Sequence, residues 1–168
     1  MQSNVFTANT TVSNPIPIFD TAATTIIGNS GMMPNQAVIP RTSFIAIKNH
    51  VSVLDRIKYT SSMITKEMIA GLFDLEKVHV PVTQYDQAAK GATSSITSIW
   101  DNDKCFVYWR PANAGIKTPS AGYTFKKNRN IVKRWRDEEI EGEWIEVNVE
   151  YDPKVVASLT GYVINNTI

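Results

Sequence analysis

The chain has 168 residues, of which 43% are hydrophobic, and its 17 basic and 16 acidic side chains give a formal net charge of +1. A chain of this length can bury the core of one ordinary domain without disulfides or a structural metal. The nearly balanced charge excludes an overall field that would attract DNA or an anionic membrane, so any partner must be recognised locally. Because no apolar run approaches the roughly 18 residues that span a bilayer, we predict no membrane partner.

The chain begins with a polar stretch rich in Asn, Thr and Ser that contains Pro15 and Pro17. Two prolines at this spacing favour an extended arm over a helix, so we predict an extended N-terminal segment over residues 1–19. Asp20 is a good N-cap for a short helix that ends at residues 28–31, where two glycines tolerate positive φ.

Four elements follow up to residue 74. Residues 33–39 are typical of a turn that enters a short strand. Ser43 to Lys48 is a mostly apolar run that predicts a strand buried on both faces. Asn49 can cap a helix, and Thr65 is a stronger N-cap for a second helix, which should stop near Asp74.

Period-two alternation and turn residues assign the next part of the chain and its end. They predict a strand at 77–82, an exposed loop at 86–98, a hairpin joining 99–100 to 105–109, a second loop at 111–122, and a last strand over 155–164 broken at Gly161.

The clearest pattern is a basic run from Lys126 to Arg136 that passes directly into an acidic run ending at Asp152. Alternation in the acidic run predicts a half-buried strand. With a tight turn at residues 141–142, this strand can pair antiparallel with residues 131–140 and form a long β-hairpin from Tyr123 to Asp152. Its apolar side is Ile145, Val147, Val149 and Tyr151, and its polar side is Glu146, Asn148, Glu150 and Asp152.

Motifs for catalysis and ligand binding are missing from the sequence. His50 and His79 are isolated, and no zinc, P-loop, dinucleotide or nucleophile-elbow pattern occurs. Asp101 and Asp103 have the spacing that starts a calcium loop, but Phe106 stands where that loop needs glycine. The single cysteine, Cys105, lies in an apolar run that favours a buried, inert thiol. We predict no enzyme, no catalytic residue, no metal and no cofactor.

Opposite charges segregated along one ribbon are typical of a part that docks on a copy of itself. Catalytic sites need titratable groups that converge in a pocket, whereas these charges point outward along strands. The candidate subunit-interface residues are Lys133, Arg134, Trp135, Arg136, Glu143, Trp144, Glu146 and Glu150.

Two alternatives use the same region. The basic run 126–136, with its aromatic residues, could bind nucleic acid, although the neighbouring acidic residues would repel phosphates. A small hydrolase would need a deep apolar cleft around Glu139 and Glu143 to separate their pKa values.

Several short segments of packing and turn residues follow one another along the chain. They are Met33-Pro34-Asn35, the Thr65 helix ending Gly71-Leu72-Phe73, Ile99-Trp100 followed by Phe106-Val107-Tyr108, residues 117–125, Trp135, and residues 154–157 with 161–164. In this order they resemble the C-terminal half of tailed-bacteriophage (prophage) major capsid proteins. The resemblance runs from about residue 15 to the C-terminus.

The resemblance implies an α+β, tailed-phage capsid-like fold fragment in residues 20–168, with a mixed sheet, short helices and the long hairpin. Residues 20–113 would be the axial domain, and residues 123–152 would reach into the peripheral region. Such proteins carry an arm, an extended loop and a long helix ahead of the matched region, where this chain offers about 15 residues. A truncated or prophage form is therefore expected.

The resemblance also implies the partners and the location. The chain would be made in the bacterial cytoplasm and would assemble with copies of itself, as hexamers and pentamers, into an icosahedral head. Other head proteins would be further partners in the virion, and packaged DNA would be touched only through non-specific contacts.

Overall fold

The computed structural model describes residues 14–58, 64–126, 131–139, 141–165 and 167. Most of the predicted N-terminal segment, residues 1–13, lies outside the described residues, as does the part of the basic run at 127–130.

Helices and strands are interspersed along the first two thirds of the chain, and strands dominate the rest. The described helices are α1 (Pro15–Ser30), α2 (Arg41–Asn49), α3 (Val51–Ile57) and α4 (Lys66–Leu72). The described strands are β1 (Gln36–Val38), β2 (Lys77–His79), β3 (Gln84–Asp86), β4 (Ile96–Ser98), β5 (Cys105–Tyr108), β6 (Gly122–Lys126), β7 (Ile131–Asp137), β8 (Gly142–Asn148), β9 (Tyr151–Val155) and β10 (Gly161–Ile164).

Helix α1 begins earlier than the sequence predicted. Its N-cap is Asn14, whose Oδ1 accepts a hydrogen bond from the backbone N–H of Ile16 at 3.1 Å. The prediction of an extended segment up to residue 19, with Asp20 as the cap, is wrong from residue 14 onward. Pro15 and Pro17 fit the first turn because backbone N–H groups there have no intrahelical partner to lose. The predicted end is confirmed, since Gly31 closes the helix with φ 68°.

Helix α2 replaces the strand that was predicted for Ser43 to Lys48. Ser43, Phe44 and Ile47 are buried and share one helical face, while Ile45 is 43% exposed. A short apolar run fits both the period of a strand and the period of a helix, so the sequence prediction was wrong on the type of element. The predicted helix after it exists as α3, but its N-cap is His50, whose Nδ1 accepts from the Ser52 N–H at 3.2 Å.

Helix α4 confirms the Thr65 cap. The Oγ1 of Thr65 accepts a hydrogen bond from the Met68 N–H at 3.3 Å. Backbone hydrogen bonding at this helix start, together with the Thr65 side chain, lowers the pKa of Glu67. The helix ends at Leu72, close to the predicted stop.

A four-stranded mixed sheet in the order β10-β5-β1-β2 forms the centre of the fold. Strand β1 is parallel to β2 and antiparallel to β5, so the predicted mixed sheet and α+β class are confirmed. Helix α1 packs on β5 and β10. The core contains Ile16, Phe19, Ala22, Ile26, Ala37, Ile39, Phe44, Ile47, Val53, Ile69, Ala70, Phe73, Leu75, Val78, Cys105, Val107 and Ile164.

The predicted hairpin between 99–100 and 105–109 is wrong. Strand β5 pairs with β1 and β10, both distant in sequence. The predicted loop 86–98 is also wrong at its ends, because β3 and β4 form a two-stranded sheet there. The turn residues at 101–104 close a local turn, with Lys104 N–H donating to the Asp101 carbonyl at 3.4 Å, but they do not pair the flanking segments.

The predicted last strand is interrupted as expected, though the break lies before Gly161. Strand β9 ends at Val155, a 3₁₀ turn covers Ser158–Thr160, and β10 starts at Gly161. A Cβ at position 161 would lie 2.8 Å from the ring of Phe106 in β5, so the glycine lets β10 approach β5 closely.

The Cys105 thiol confirms the prediction of an inert cysteine. It is fully buried beside a hydrogen-bonded hydroxyl pair, Ser43 and Thr167, whose oxygens are 2.7 Å apart. Burial raises the pKa of Cys105 to about 12, so the reactive thiolate is not populated near neutral pH.

Candidate subunit interface

The long β-hairpin predicted from the charge pattern is confirmed. Strand β6 pairs antiparallel with β9, and β7 pairs antiparallel with β8, so that the two pairs follow each other along the chain. We call the whole element from Gly122 to Val155 the ribbon, and the β7–β8 part its outer half.

Local hydrogen bonds shape the tip of the ribbon. Asp137 accepts two of them: its Oδ1 from the Glu139 N–H at 3.1 Å, and its Oδ2 from the Trp144 indole N–H at 3.2 Å. Glu141 has φ 49°, a left-handed conformation that residues other than glycine adopt infrequently. The tight turn predicted at residues 141–142 therefore lies where the chain reverses.

The register sorts the side chains of the outer half onto two faces, because directly opposite residues of an antiparallel pair point the same way. The tryptophan face carries the opposed pairs Lys133–Glu146 and Trp135–Trp144. The aliphatic face carries the opposed pairs Val132–Val147, Arg134–Ile145 and Arg136–Glu143.

Large apolar side chains on both faces are open to solvent. Trp135 is 47% exposed and Trp144 is 51% exposed on one face, while Ile145 and Val147 are 57% and 60% exposed on the other. The prediction of a half-buried strand is wrong for the single chain, because a two-stranded ribbon has no second layer within the described residues to cover it. Contiguous exposed apolar surface of this kind is typical of an interaction site.

The charges of the outer half meet across the strands of the same hairpin. Lys133 Nζ lies 3.8 Å from Glu146 Oε2, with both side chains well exposed, and Arg136 stands opposite Glu143. Arg134 stands opposite Ile145 instead of an acid. The basic side chains therefore line β7 and the acidic ones line β8, as the sequence predicted.

The structure brings seven of the eight candidate interface residues together in the outer half. The eighth, Glu150, is exposed in the two-residue link between β8 and β9. Glu139 and Glu143 are exposed near the tip, so the deep pocket that a hydrolase would need is not built around them.

Sequence reasoning missed a cleft of about 730 Å³ at the base of the ribbon, where β5 and β10 meet β6 and β9. Its walls include Phe106 and Tyr108, whose rings stack at 5.1 Å, and partial burial raises the pKa of Tyr108. Among the described residues lining the cleft, none is Asp, Glu or His. The described lining therefore offers no carboxylate or imidazole, and only its aromatic strand residues could have indicated the cleft from the sequence.

Other chemistry also finds no support in the described part of the chain. His50 caps α3, and His79 lies in β2, where its Nε2 is 3.3 Å from the Gln36 Oε1. Both histidines therefore occupy the helix-start and strand positions that the sequence predicted. Within the residues that the structure covers, no three His, Cys, Asp or Glu side chains are grouped to hold a metal. None of the described helices is both long and apolar enough to cross a bilayer.

Comparison with solved structures identifies the class of fold. The chain superimposes with a TM-score of 0.83 on the crystal structure of a phage-related protein from Bordetella bronchiseptica. The two sequences are 26% identical, and the match covers 99% of this chain and 55% of that chain. The fold is thus that of a phage-related α+β protein.

Comparison with characterised sequences is more specific. The chain is 24% identical over 158 residues to the major capsid protein of Burkholderia phage BcepMu, a match covering 91% of this chain and 50% of that protein. No protein-family model matches the chain. The resemblance to phage major capsid proteins is confirmed. The chain spans about half the length of the relatives it matches.

Proposed function

We propose that this chain is a major capsid subunit of a tailed phage, or a truncated prophage form of one, which self-associates into the capsomers of an icosahedral head. The observation that carries the proposal is the ribbon, whose outer half exposes Trp135, Trp144, Ile145 and Val147 without a covering layer in the described chain. The similarity to a phage major capsid protein supplies a use for such a surface.

The body and the ribbon suit different tasks in this scheme. Residues 20–113, which hold most of the sheet and the helices, would form the axial domain near the centre of a hexamer or pentamer. Residues 123–152 would reach outward to a neighbouring subunit. This division is supported by the burial pattern, since the body has a packed core and the ribbon has exposed faces.

Apolar contacts would supply most of the association energy. Burying apolar surface contributes about 25 cal/mol per Å², so covering two tryptophans and three aliphatic side chains outweighs exposed ion pairs worth about 0–1 kcal/mol each. The charges of β7 and β8 would mainly select the partner and its orientation. Association should then weaken moderately with salt.

The nucleic-acid alternative is weakened by the register. Lys133 faces Glu146 and Arg136 faces Glu143, so an approaching phosphate would meet an acid beside each of these bases. We therefore propose that packaged DNA is touched only non-specifically, and that other head proteins are the remaining partners in the virion after synthesis in the bacterial cytoplasm.

The test is sedimentation of the chain over a range of protein concentrations. We expect the wild type to form oligomers, and the double variant Trp135→Ala, Trp144→Ala to shift toward monomer. Ile116→Ala is the matched control, because Ile116 is fully exposed in a loop outside the ribbon. Oligomers unaffected by the tryptophan substitutions would contradict the ribbon as the interface, and a wild type that stays monomeric at all concentrations would contradict self-association.

A DNA-binding titration at low salt separates the alternative. Neutralising Lys133, Arg134 and Arg136 should leave any weak DNA affinity nearly unchanged if the ribbon binds protein. A large loss of DNA affinity, with oligomers intact, would favour the nucleic-acid module instead.

A further inference from the structure

The outer half of the ribbon separates its charges by strand. Strand β7 carries Lys133, Arg134 and Arg136 against a single acid, Asp137, whereas β8 carries Glu143 and Glu146 and no base. On the aliphatic face, Arg134 and Arg136 of β7 adjoin Glu143 of β8. On the tryptophan face, Lys133 adjoins Glu146, although Asp137 lies on the same β7 row. The ribbon is thus basic along one long side and acidic along the other.

This polarity distinguishes the ways in which two ribbons can meet. If β7 of one copy lies on β7 of another, basic rows face each other, and β8 on β8 opposes two acidic rows. Like charges placed opposite one another destabilise a contact. Only β7 against β8 places every basic row against an acidic row.

We infer that the ribbon binds a second copy of this chain with β7 of one copy against β8 of the other. The inference rests on the proposed self-association and adds the choice of strands. The intramolecular register is the guide: Lys133 meets Glu146 and Arg136 meets Glu143 within one hairpin, and the same pairs form between hairpins when unlike strands adjoin.

Strand choice also sets direction. Ribbons that adjoin through the same face bring unlike strands together only when both tips point the same way. In that arrangement Arg134, which has Ile145 opposite it in its own hairpin, lies near the partner's acidic strand. The exposed apolar side chains of the two ribbons then lie at similar heights, which allows them to cover one another.

Charge reversal tests the strand choice. One variant reverses β7 (K133E, R134E, R136E), a second reverses β8 (E143K, E146K), and a third combines all five changes. We expect the first two to self-associate at least about tenfold more weakly than the wild type, because both of their strands carry the same sign. Mixed in equal amounts, they should associate with each other again. This recovery cannot come from a hairpin that has merely unfolded.

The combined variant gives the sharper result. It keeps opposite charges on its two strands, so it should self-associate like the wild type. Native mass spectrometry of the combined variant alone detects these oligomers. A combined variant that stays monomeric while the wild type self-associates would overturn the strand choice and leave self-association intact. A monomeric wild type would instead overturn the proposed function itself.

Cross-linking tests the direction. Cys105 is buried and has a pKa of about 12, so an added surface cysteine can be modified selectively. Glu139→Cys at the tip should cross-link between copies with a bis-maleimide that spans about 10 Å, the spacing of packed sheets. Mixing it with Lys154→Cys at the base, on the β6–β9 pair, should give no mixed product. Tip-to-base products would overturn the inference.

Discussion

The body and the ribbon of this chain place their aromatic side chains in opposite environments. In the body, Phe19 and Phe73 stack with ring centres 4.0 Å apart, and they are only 3% and 5% exposed. In the ribbon, Trp135 and Trp144 are opposite each other in register and are each about half exposed. The body therefore packs its aromatic side chains within one chain, whereas the described residues leave those of the ribbon open to solvent.

The largest difference between the two regions should appear in the core. Phe19→Ala removes a buried ring and leaves a cavity, which should lower the free energy of unfolding by about 3–5 kcal/mol. Ile27→Ala on the same helix is the control, since Ile27 is 44% exposed and should cost much less. Urea denaturation measures both, and equal losses for the two variants would contradict the assigned burial of α1.

A smaller effect is expected at the buried hydroxyl pair. Ser43→Ala removes the 2.7 Å hydrogen bond to the Thr167 hydroxyl and the 3.2 Å hydrogen bond to the Asn102 carbonyl, which leaves these polar groups with fewer partners. An unsatisfied buried polar group costs about 1–3 kcal/mol. Thr42→Ala is the control, because its exposed hydroxyl makes only a 3.5 Å contact with the Asn102 carbonyl. The melting temperature of Ser43→Ala should be well below that of Thr42→Ala, and the reverse order would contradict a stabilising role of the hydroxyl pair.

His79 should make the stability of the body depend on pH. Desolvation, followed by the nearby charges of Lys77 and Arg110, lowers the pKa of His79 below its ordinary 6.5. The unfolded chain then binds the proton more readily, so this contribution to stability is present above pH 6.5 and is lost as the pH falls through the lowered pKa. Between pH 7.5 and pH 5.5, the free energy of unfolding should fall by more in the wild type than in His79→Gln, as urea denaturation at each pH measures. An equal loss in the two proteins would show that His79 does not cause the pH dependence.

The smallest effect on folding should come from the ribbon. Trp135→Ala should change the unfolding free energy of the monomer by less than about 0.5 kcal/mol, as exposed substitutions usually do. The same change should weaken self-association clearly in sedimentation. A variant that unfolds much more easily as a monomer would show that the ribbon stabilises the body, and the contrast between the regions would fail.

The sequence predicted those parts in which local chemistry decides the structure. Thr65 predicts the start of its helix because its side-chain oxygen can accept a hydrogen bond from a free backbone N–H group of the first turn. The ribbon was predictable because segregated charge and period-two alternation continue along its strands, whereas the register of Trp135 with Trp144 is known only from the structure. The candidate interface residues could be named for the same reason.

Other elements depend on distant contacts that a local pattern does not contain. Ser43 to Lys48 reads equally well as a strand or a helix, and burial of Ser43, Phe44 and Ile47 against the core decides for the helix. Strand β5 has turn residues just before it but pairs with β1 and β10 instead. The cleft at the ribbon base was missed because its walls come from strands far apart in sequence.

The separation of a self-sufficient core from an outward hairpin has a consequence for how such a protein can change over time. With the ribbon as the proposed interface, substitutions on it would alter which copies associate and would leave the core of the body unchanged. After a gene duplication, reversal of the charges on β7 and β8 in one copy could therefore give two proteins that each bind only their own kind. New recognition would arise without first having to solve the folding problem again.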